Sequence, residues 1–273
     1  MLHPLVGVLA VVGELHAPAV DGGADRQVQR EHGGPELLQI VAPELRIPLT
    51  IIDISHLPAD RLDEEADRLG LHLGLVASSS WNAGGSWIQP RDAMKALFHS
   101  EITVTGPTRL AQVLPFPTTR APKGANGLPI YFKEIAVLAF PQTTNKVIRD
   151  PAVILNLSAN LDRDGRLTWD VPPGPWVIAR FVASNTGQKL MVPSPNSNGL
   201  LIDHLDAKAA ETHFGYILDQ LFKARPSLDA LRYMEVDSVE VNNQTDWTDA
   251  FVEEFRKRRG YDPIPYLPAL KGR

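Results

Sequence analysis

The stretch LRYMEVDSVEVNNQTDWTDAF (residues 231–251) sets three acids, Glu235, Asp237 and Glu240, inside an apolar run that otherwise reads as a buried strand. Its neighbours on both sides are helical. Ahead of it, LDAKAAETHFGYILDQLFKARP (residues 205–226) places Ala210, Phe214, Ile217, Leu218 and Leu221 on one helical face and ends at Pro226. Behind it, Thr248 is a good N-cap for a helix that carries Phe251, Val252 and Phe255 inward until Gly260. A strand between helices is the unit of an α/β fold, and in an α/β barrel the active site is built at the carboxyl ends of the strands. With the strand running roughly from Leu231 to Val236, Glu235 is its last inward-facing or flanking acid, and Asp237 and Glu240 lie at its exit.

The same rhythm occurs earlier. PADRLDEEADRLGLHLGLVASSS (residues 58–80) spaces Leu62, Ala66 and Leu69 as a helix, stops at Gly70 and continues as a short buried strand. WNAGGSWIQPRDAMKALFHSE (residues 81–101) then begins as a Gly-rich loop with Trp81, Asn82 and Trp87, after which Pro90 and Asp92 introduce a short helix through Met94 and Leu97. Such a loop either handles a ligand or packs its two tryptophans over the end of the core. Between residues 101 and 195 the text becomes a series of short β-rich segments separated by turn chemistry, DRDG (residues 162–165) and PPGP (residues 172–175), which suggests an antiparallel sandwich. The chain therefore divides into barrel part 56–100, sandwich 101–195 and barrel part 196–273. Residues 1–55 show no sustained period and stay unassigned.

Composition narrows the function. A net charge of −5 gives no electrostatic reason to bind nucleic acid or an anionic membrane. The one basic run, RKRRG (residues 256–260), is what dipole complementarity and a glycine cap place at a helix end. There is no Cys, hence no disulfide or thiolate chemistry, which is compatible with the cytoplasm or with export. The N-terminus has a short apolar stretch and an Ala17-Pro18-Ala19 site, but no basic start, and Glu14 interrupts it; export stays open. No uninterrupted apolar run approaches the roughly 18 residues that a membrane-spanning helix needs.

The acids can satisfy loop amides, or pair with Arg232 or with the arginines of the following helix. Alternatively, with Asn242, Asn243 and Gln244 behind them, they suit a polyol, a hard cation such as Ca²⁺, or both. Carboxylates with Trp nearby point towards sugar chemistry, in which one carboxylic acid protonates the leaving oxygen and a second carboxylate activates water or attacks the anomeric carbon. GxSxG, Walker and HExxH patterns are absent, the eight His are scattered, and GANG (residues 124–127) is too short for a nucleotide loop.

Five segments in order, SSSWNAGGSWIQPRDAMKALFHSE (residues 78–101), DGRLTWDVPPGPWVIARF (residues 164–181), GLLIDHLDAKAAETHF (residues 199–214), EVDSVEV (residues 235–241) and WTDAFVEEFRKRRGYDPIPYLPAL (residues 247–270), resemble the α-L-rhamnosidase family of glycoside hydrolases, family 106. The resemblance runs from about residue 58 to the end. It implies a β/α (TIM-like) barrel interrupted by a β-sandwich, hydrolysis of terminal α-L-rhamnosyl linkages with inversion, a rhamnose-containing oligo- or polysaccharide as partner, and an active-site Ca²⁺. It also implies that an acid of the DSxE-type segment is the general acid, here Glu240, with Asp237 and Glu235 as substrate or Ca²⁺ contacts. Trp81, Asn82, Trp87, Asp203 and His204 are the further expected substrate contacts, and relatives are typically exported. Family members are several times longer, so the barrel is expected to be incomplete, with its second carboxylate beyond this chain and residues 1–50 a substituted start. Little or no hydrolysis is then expected of the chain alone. The competing expectation is a non-catalytic carbohydrate-binding protein built on the 101–195 sandwich and the Trp81/Trp87 loop.

Overall fold

The structure, a computed structural model, describes residues 9–12, 38–41, 48–52, 59–68, 72–78, 82–145, 147–193, 197–224, 227–236, 239–241 and 245–272. In chain order the elements are β1 (Leu9–Val12), β2 (Leu38–Val41), β3 (Pro48–Ile52), α1 (Ala59–Arg68), β4 (His72–Val76), β5 (Gly84–Gly85), β6 (Lys95–Val113), β7 (Phe132–Pro141), β8 (Leu155–Asn156), β9 (Arg166–Asn185), β10 (Leu200–Leu201), α2 (Ala207–Ala224), β11 (Leu231–Glu235), β12 (Asp246–Trp247) and α3 (Phe251–Arg259). They fall into two compact units, one of Met1–Trp87, Lys189–Gly199 and Glu211–Glu240, the other of Ile88–Gln188, Leu200–Ala210 and Val241–Arg273. The fold is α/β, an incomplete TIM-like barrel interrupted in sequence by an antiparallel β unit. No helix among the described residues is long and apolar enough to cross a membrane.

The first unit holds a sheet of order β11-β4-β1-β3-β2. The pair β4 and β11 is parallel, with Leu73 opposite Leu231 and Val76 opposite Glu235. This is the barrel pair, and each of its strands follows a helix, α1 or α2. Its core is Ala66, Leu73, Leu75 and Ala230, with Ile217, Leu221 and Leu231 packed against it, each large aliphatic side chain so buried stabilising by about 1.5–3 kcal/mol. The Asp63 carboxylate, 3% exposed, accepts the Ala230 N–H at 3.1 Å and ties α1 to the start of β11. On α2 the inward residues include Ile217 and Leu221, as expected, but the fully buried positions are Ala209 and His213, whereas Phe214 and Leu218 are only half-buried. Residues 9–12, 38–41 and 48–52, within a region that showed no period, form three antiparallel strands, with β1 between β3 and β4. Each is only four or five residues long, too short for period 2 to stand out against the Gly-rich text between them.

The second unit is an antiparallel sheet of order β12-β6-β9-β7-β8. Its axis is the ribbon of β6 and β9, 19 and 20 residues long. Gly106 faces Gly174 and Thr108 faces Val171, so Pro172 and Pro173 fall in a bulge on β9; proline cannot donate to the ladder, and the strand bends there. PPGP is therefore a bend inside one strand, where a turn between two was expected. Beyond the bend, Leu110, Leu167 and Val171 fold over Val137, Ala139 and Ile178 as one core. The alternate residues Ala136, Leu138, Phe140, Ala179 and Phe181 face the other way, into a core closed by Trp247, Ile264 and Leu267, with Phe251 and Val252 packed on it. The period of two thus feeds both faces.

Other expectations needed correction. No helix runs through Met94 and Leu97: Lys95 to Val113 is strand, because a ladder from Lys95–Asn185 to Val113–Arg166 outweighs the helix propensity of AMKALF. Of the β-rich segments expected between residues 101 and 195, AVILNLS (residues 152–158) yields only β8, since Asp150 accepts the Ala152 N–H and Asn156 the Ser158 N–H and bend the chain on either side. Thr248 is buried and makes no side-chain cap; α3 begins after Ala250, and its basic last turn closes on Gly260 as expected. In DRDG the Asp162 carboxylate accepts the Asp164 and Arg166 N–H groups, the expected turn.

Candidate functional site

The site candidates of the first unit gather at the exits of β4 and β11. At the end of β4, Ala77 is held from two sides: its N–H donates to Glu235 O at 2.8 Å, and its carbonyl lies 2.9 Å from His213 Nε2. His213 in turn accepts the Trp87 Nε1–H at Nδ1, 3.3 Å away. An imidazole that accepts at Nδ1 and meets a carbonyl at Nε2 is neutral with its proton on Nε2. Burial agrees, pushing its pKa below the ordinary 6.5 against the opposing pull of the Ala77 carbonyl. Trp87 also stacks on Tyr216, with centroids 4.5 Å apart, and its ring lies against Gly85, where any Cβ would come within 2.5 Å of it.

Asn82, 5% exposed, spends its amide on the main chain of Glu240. Its Oδ1 accepts the Glu240 N–H at 2.8 Å and its Nδ2 donates to Glu240 O at 2.9 Å. Donor and acceptor together copy what a neighbouring strand's peptide would offer. The Glu240 backbone is fixed, and the residue itself is exposed at the surface. Glu235 ends β11, also exposed. Asp237 and Trp81 lie outside the described residues, as do Asn242, Asn243 and Gln244.

Asp203 and His204 belong to the second unit. Asp203 is 1% exposed; it pairs with Lys95 at 2.9 Å and accepts the Leu205 N–H at 3.1 Å. His204 is half-buried. Near that pair, Lys95 lies 5.5 Å from the Tyr131 ring centre, while the Tyr131 hydroxyl donates to Asp249, which also pairs with Lys133 at 2.8 Å.

Among the described residues no three His, Asp or Glu side chains converge as a metal site. A Ca²⁺ takes about six to eight oxygens, and Glu235 does not supply such a set with any described neighbour.

Sequence reasoning missed His213 and the use Asn82 makes of its amide. His213 stands four residues before Ile217 and eight before Leu221, so helical spacing alone could have put it on the buried face. For Asn82 no local signal exists, because its partner is 158 residues away.

The model of the α-L-rhamnosidase family, glycoside hydrolase family 106, matches residues 60–127 and 123–273. A protein of Formosa agariphila described as "Putative beta-glucuronidase" is 32% identical over 240 residues, which are 76% of this chain and 20% of that protein. The solved rhamnosidase from Novosphingobium sp. PP1Y superposes with a TM-score of 0.62 at 20% identity, over 77% of this chain and 35% of its own, a likeness of fold. The chain thus spans only a minor part of either relative. With its family model matched across most of its length, the chain belongs to the α-L-rhamnosidase family, glycoside hydrolase family 106.

Proposed function

We propose that this chain carries the acid side of a site that hydrolyses terminal α-L-rhamnosyl linkages with inversion, and that Glu240 protonates the leaving oxygen. The observation behind this reading is the double hydrogen bond from Asn82, which fixes the Glu240 main chain at a barrel-strand exit while the residue stays exposed. A proton donor has to be held in place yet reach the glycosidic oxygen. Inversion also needs a second carboxylate, about 6.5–9.5 Å from the first, to activate water on the opposite face of the sugar. We assign that carboxylate to the part of the family fold this chain does not span. Glu235 and Asp237 are assigned to sugar hydroxyls. Alone, the chain then binds rhamnose without turnover.

The test is calorimetric titration of L-rhamnose into the chain and into Glu240→Gln, beside an assay for release of rhamnose from an aryl α-L-rhamnoside. Saturable binding in both proteins and no release are expected. Because one relative is described as a glucuronidase, D-glucuronate is the control: preference for it, or no rhamnose binding, sinks the substrate assignment. Release abolished by Glu240→Gln would overturn the expected inactivity and keep Glu240 as the acid, whereas release that survives the substitution would remove Glu240 from the chemistry.

A further inference from the structure

We propose that Ser78 is a sugar-binding hydroxyl of this site, an assignment that rests on the rhamnoside reading just given. Ser78 follows β4 by two residues and is 9% exposed, and its Oγ is buried with no hydrogen-bond partner among the described residues. A buried hydroxyl without a partner opposes folding, and buried polar groups in native proteins are almost always satisfied. One left open at a barrel-strand exit is explained by a ligand that completes it. Its placement is not loose. The preceding residue is pinned through its N–H to Glu235 O and through its carbonyl to His213 Nε2. Val76, two residues back, is in register with Glu235 on the parallel strand that leads to Glu240. Four residues on, Asn82 clamps Glu240 itself. The hydroxyl is thus held at the β4 exit, four residues in sequence from the clamp on the acid.

The chemistry of the group selects the ligand. A serine hydroxyl offers one donor and two acceptor positions, and a sugar hydroxyl offers the same, so each can satisfy the other. An apolar ligand would leave Ser78 unsatisfied. Among the described residues, the other buried side-chain oxygens without a partner, Asn185 Oδ1 and Asp246 Oδ1, belong to strands of the antiparallel unit, and no proposed site residue holds their backbone.

L-Rhamnose is titrated into the native chain and into Ser78→Ala, with thermal melts of both, and the titrations are repeated with the monodeoxy analogues of rhamnose. Ser78→Ala is expected to weaken rhamnose binding about tenfold, the effect of one lost hydrogen bond, and to leave Tm unchanged or higher, because the hydroxyl it removes has no partner among the described residues. One deoxy analogue is expected to bind the native chain and Ser78→Ala equally, since the partner hydroxyl is already gone. Equal rhamnose affinity in native chain and variant would overturn the role of Ser78 alone. A fall in Tm with Ser78→Ala would show an internal partner and overturn it as well. Absence of rhamnose binding by the native chain would remove the site, and Ser78 with it.

Discussion

Lys95 Nζ and Asp203 Oδ2 stand 2.9 Å apart with side chains only 0% and 1% exposed, a charge pair closed off inside the antiparallel unit. Asp203 was expected to meet substrate; its carboxylate is instead engaged by Lys95 and by the Leu205 N–H. Each charge has left water, so removing one strands the other. Asp203→Ala should destabilise the chain by about 3–5 kcal/mol, whereas Lys95→Met combined with Asp203→Leu should recover most of that loss. Urea unfolding of the three proteins decides it: a double variant as unstable as the single one would show that the pair does not act as a unit.

The bend in the β6 and β9 ribbon depends on a missing side chain. A Cβ on Gly106 would come 2.1 Å from Pro172 O and 2.6 Å from Val171 O, main-chain atoms that cannot step aside. Gly106→Ala should therefore open the bend and cost about 1–3 kcal/mol or more. Gly260 gives the comparison. It has φ 77° and nothing near its missing Cβ, so Gly260→Ala should cost only backbone strain, about 1 kcal/mol. The order of denaturation midpoints checks the argument, and a milder effect at Gly106 than at Gly260 would refute it.

His213 makes stability depend on pH in a stated direction. Burial holds its folded pKa below the 6.5 of an exposed imidazole. Above that value neither state binds the proton and stability is complete. As pH falls below it, the unfolded chain takes up a proton that folded His213 resists, and stability declines until the folded pKa is reached. Tm should fall as pH drops below 6.5, and His213→Gln should flatten that decline. Asp249 acts in a lower window. Burial resists its ionisation, yet hydrogen bonds from Lys133 and Tyr131 prevail and hold it below 3.8, so its contribution is lost only in stronger acid. A Tm equally pH-dependent in His213→Gln would count against the neutral buried imidazole.

The parts of this protein legible in its sequence are those whose signal is local. The α1-β4 unit shows in helical spacing followed by a short apolar strand, and DRDG and the basic end of α3 show in fixed turn and cap chemistry. The acids at the β11 exit were visible because a carboxylate inside an apolar run is conspicuous. What escaped was set by partners far away in sequence. AMKALF carries helix formers and became strand because β9 lies alongside it; PPGP carries turn residues and became a bend because β6 runs through unbroken. Asn82 is polar in a Gly-rich loop, and nothing in that loop shows that its amide is bonded 158 residues away.

That bond carries the last prediction. Asn82 gives Glu240 one acceptor and one donor at 2.8 and 2.9 Å, from a side chain that is itself buried. Asn82→Ala removes both and leaves the Glu240 main chain to find water or go unpaired, a loss of about 1–3 kcal/mol. Asn82→Asp keeps an acceptor for the Glu240 N–H but cannot donate to the Glu240 carbonyl. Hydrogen exchange read at the Glu240 amide separates the cases: protection should collapse in Asn82→Ala and persist in Asn82→Asp. Rhamnose affinity should fall in Asn82→Ala, because a loop no longer clamped spends part of its binding energy on becoming ordered. Unchanged exchange in Asn82→Ala would mean that the loop holds Glu240 by other means, and would leave Asn82 available for the sugar contact first expected of it.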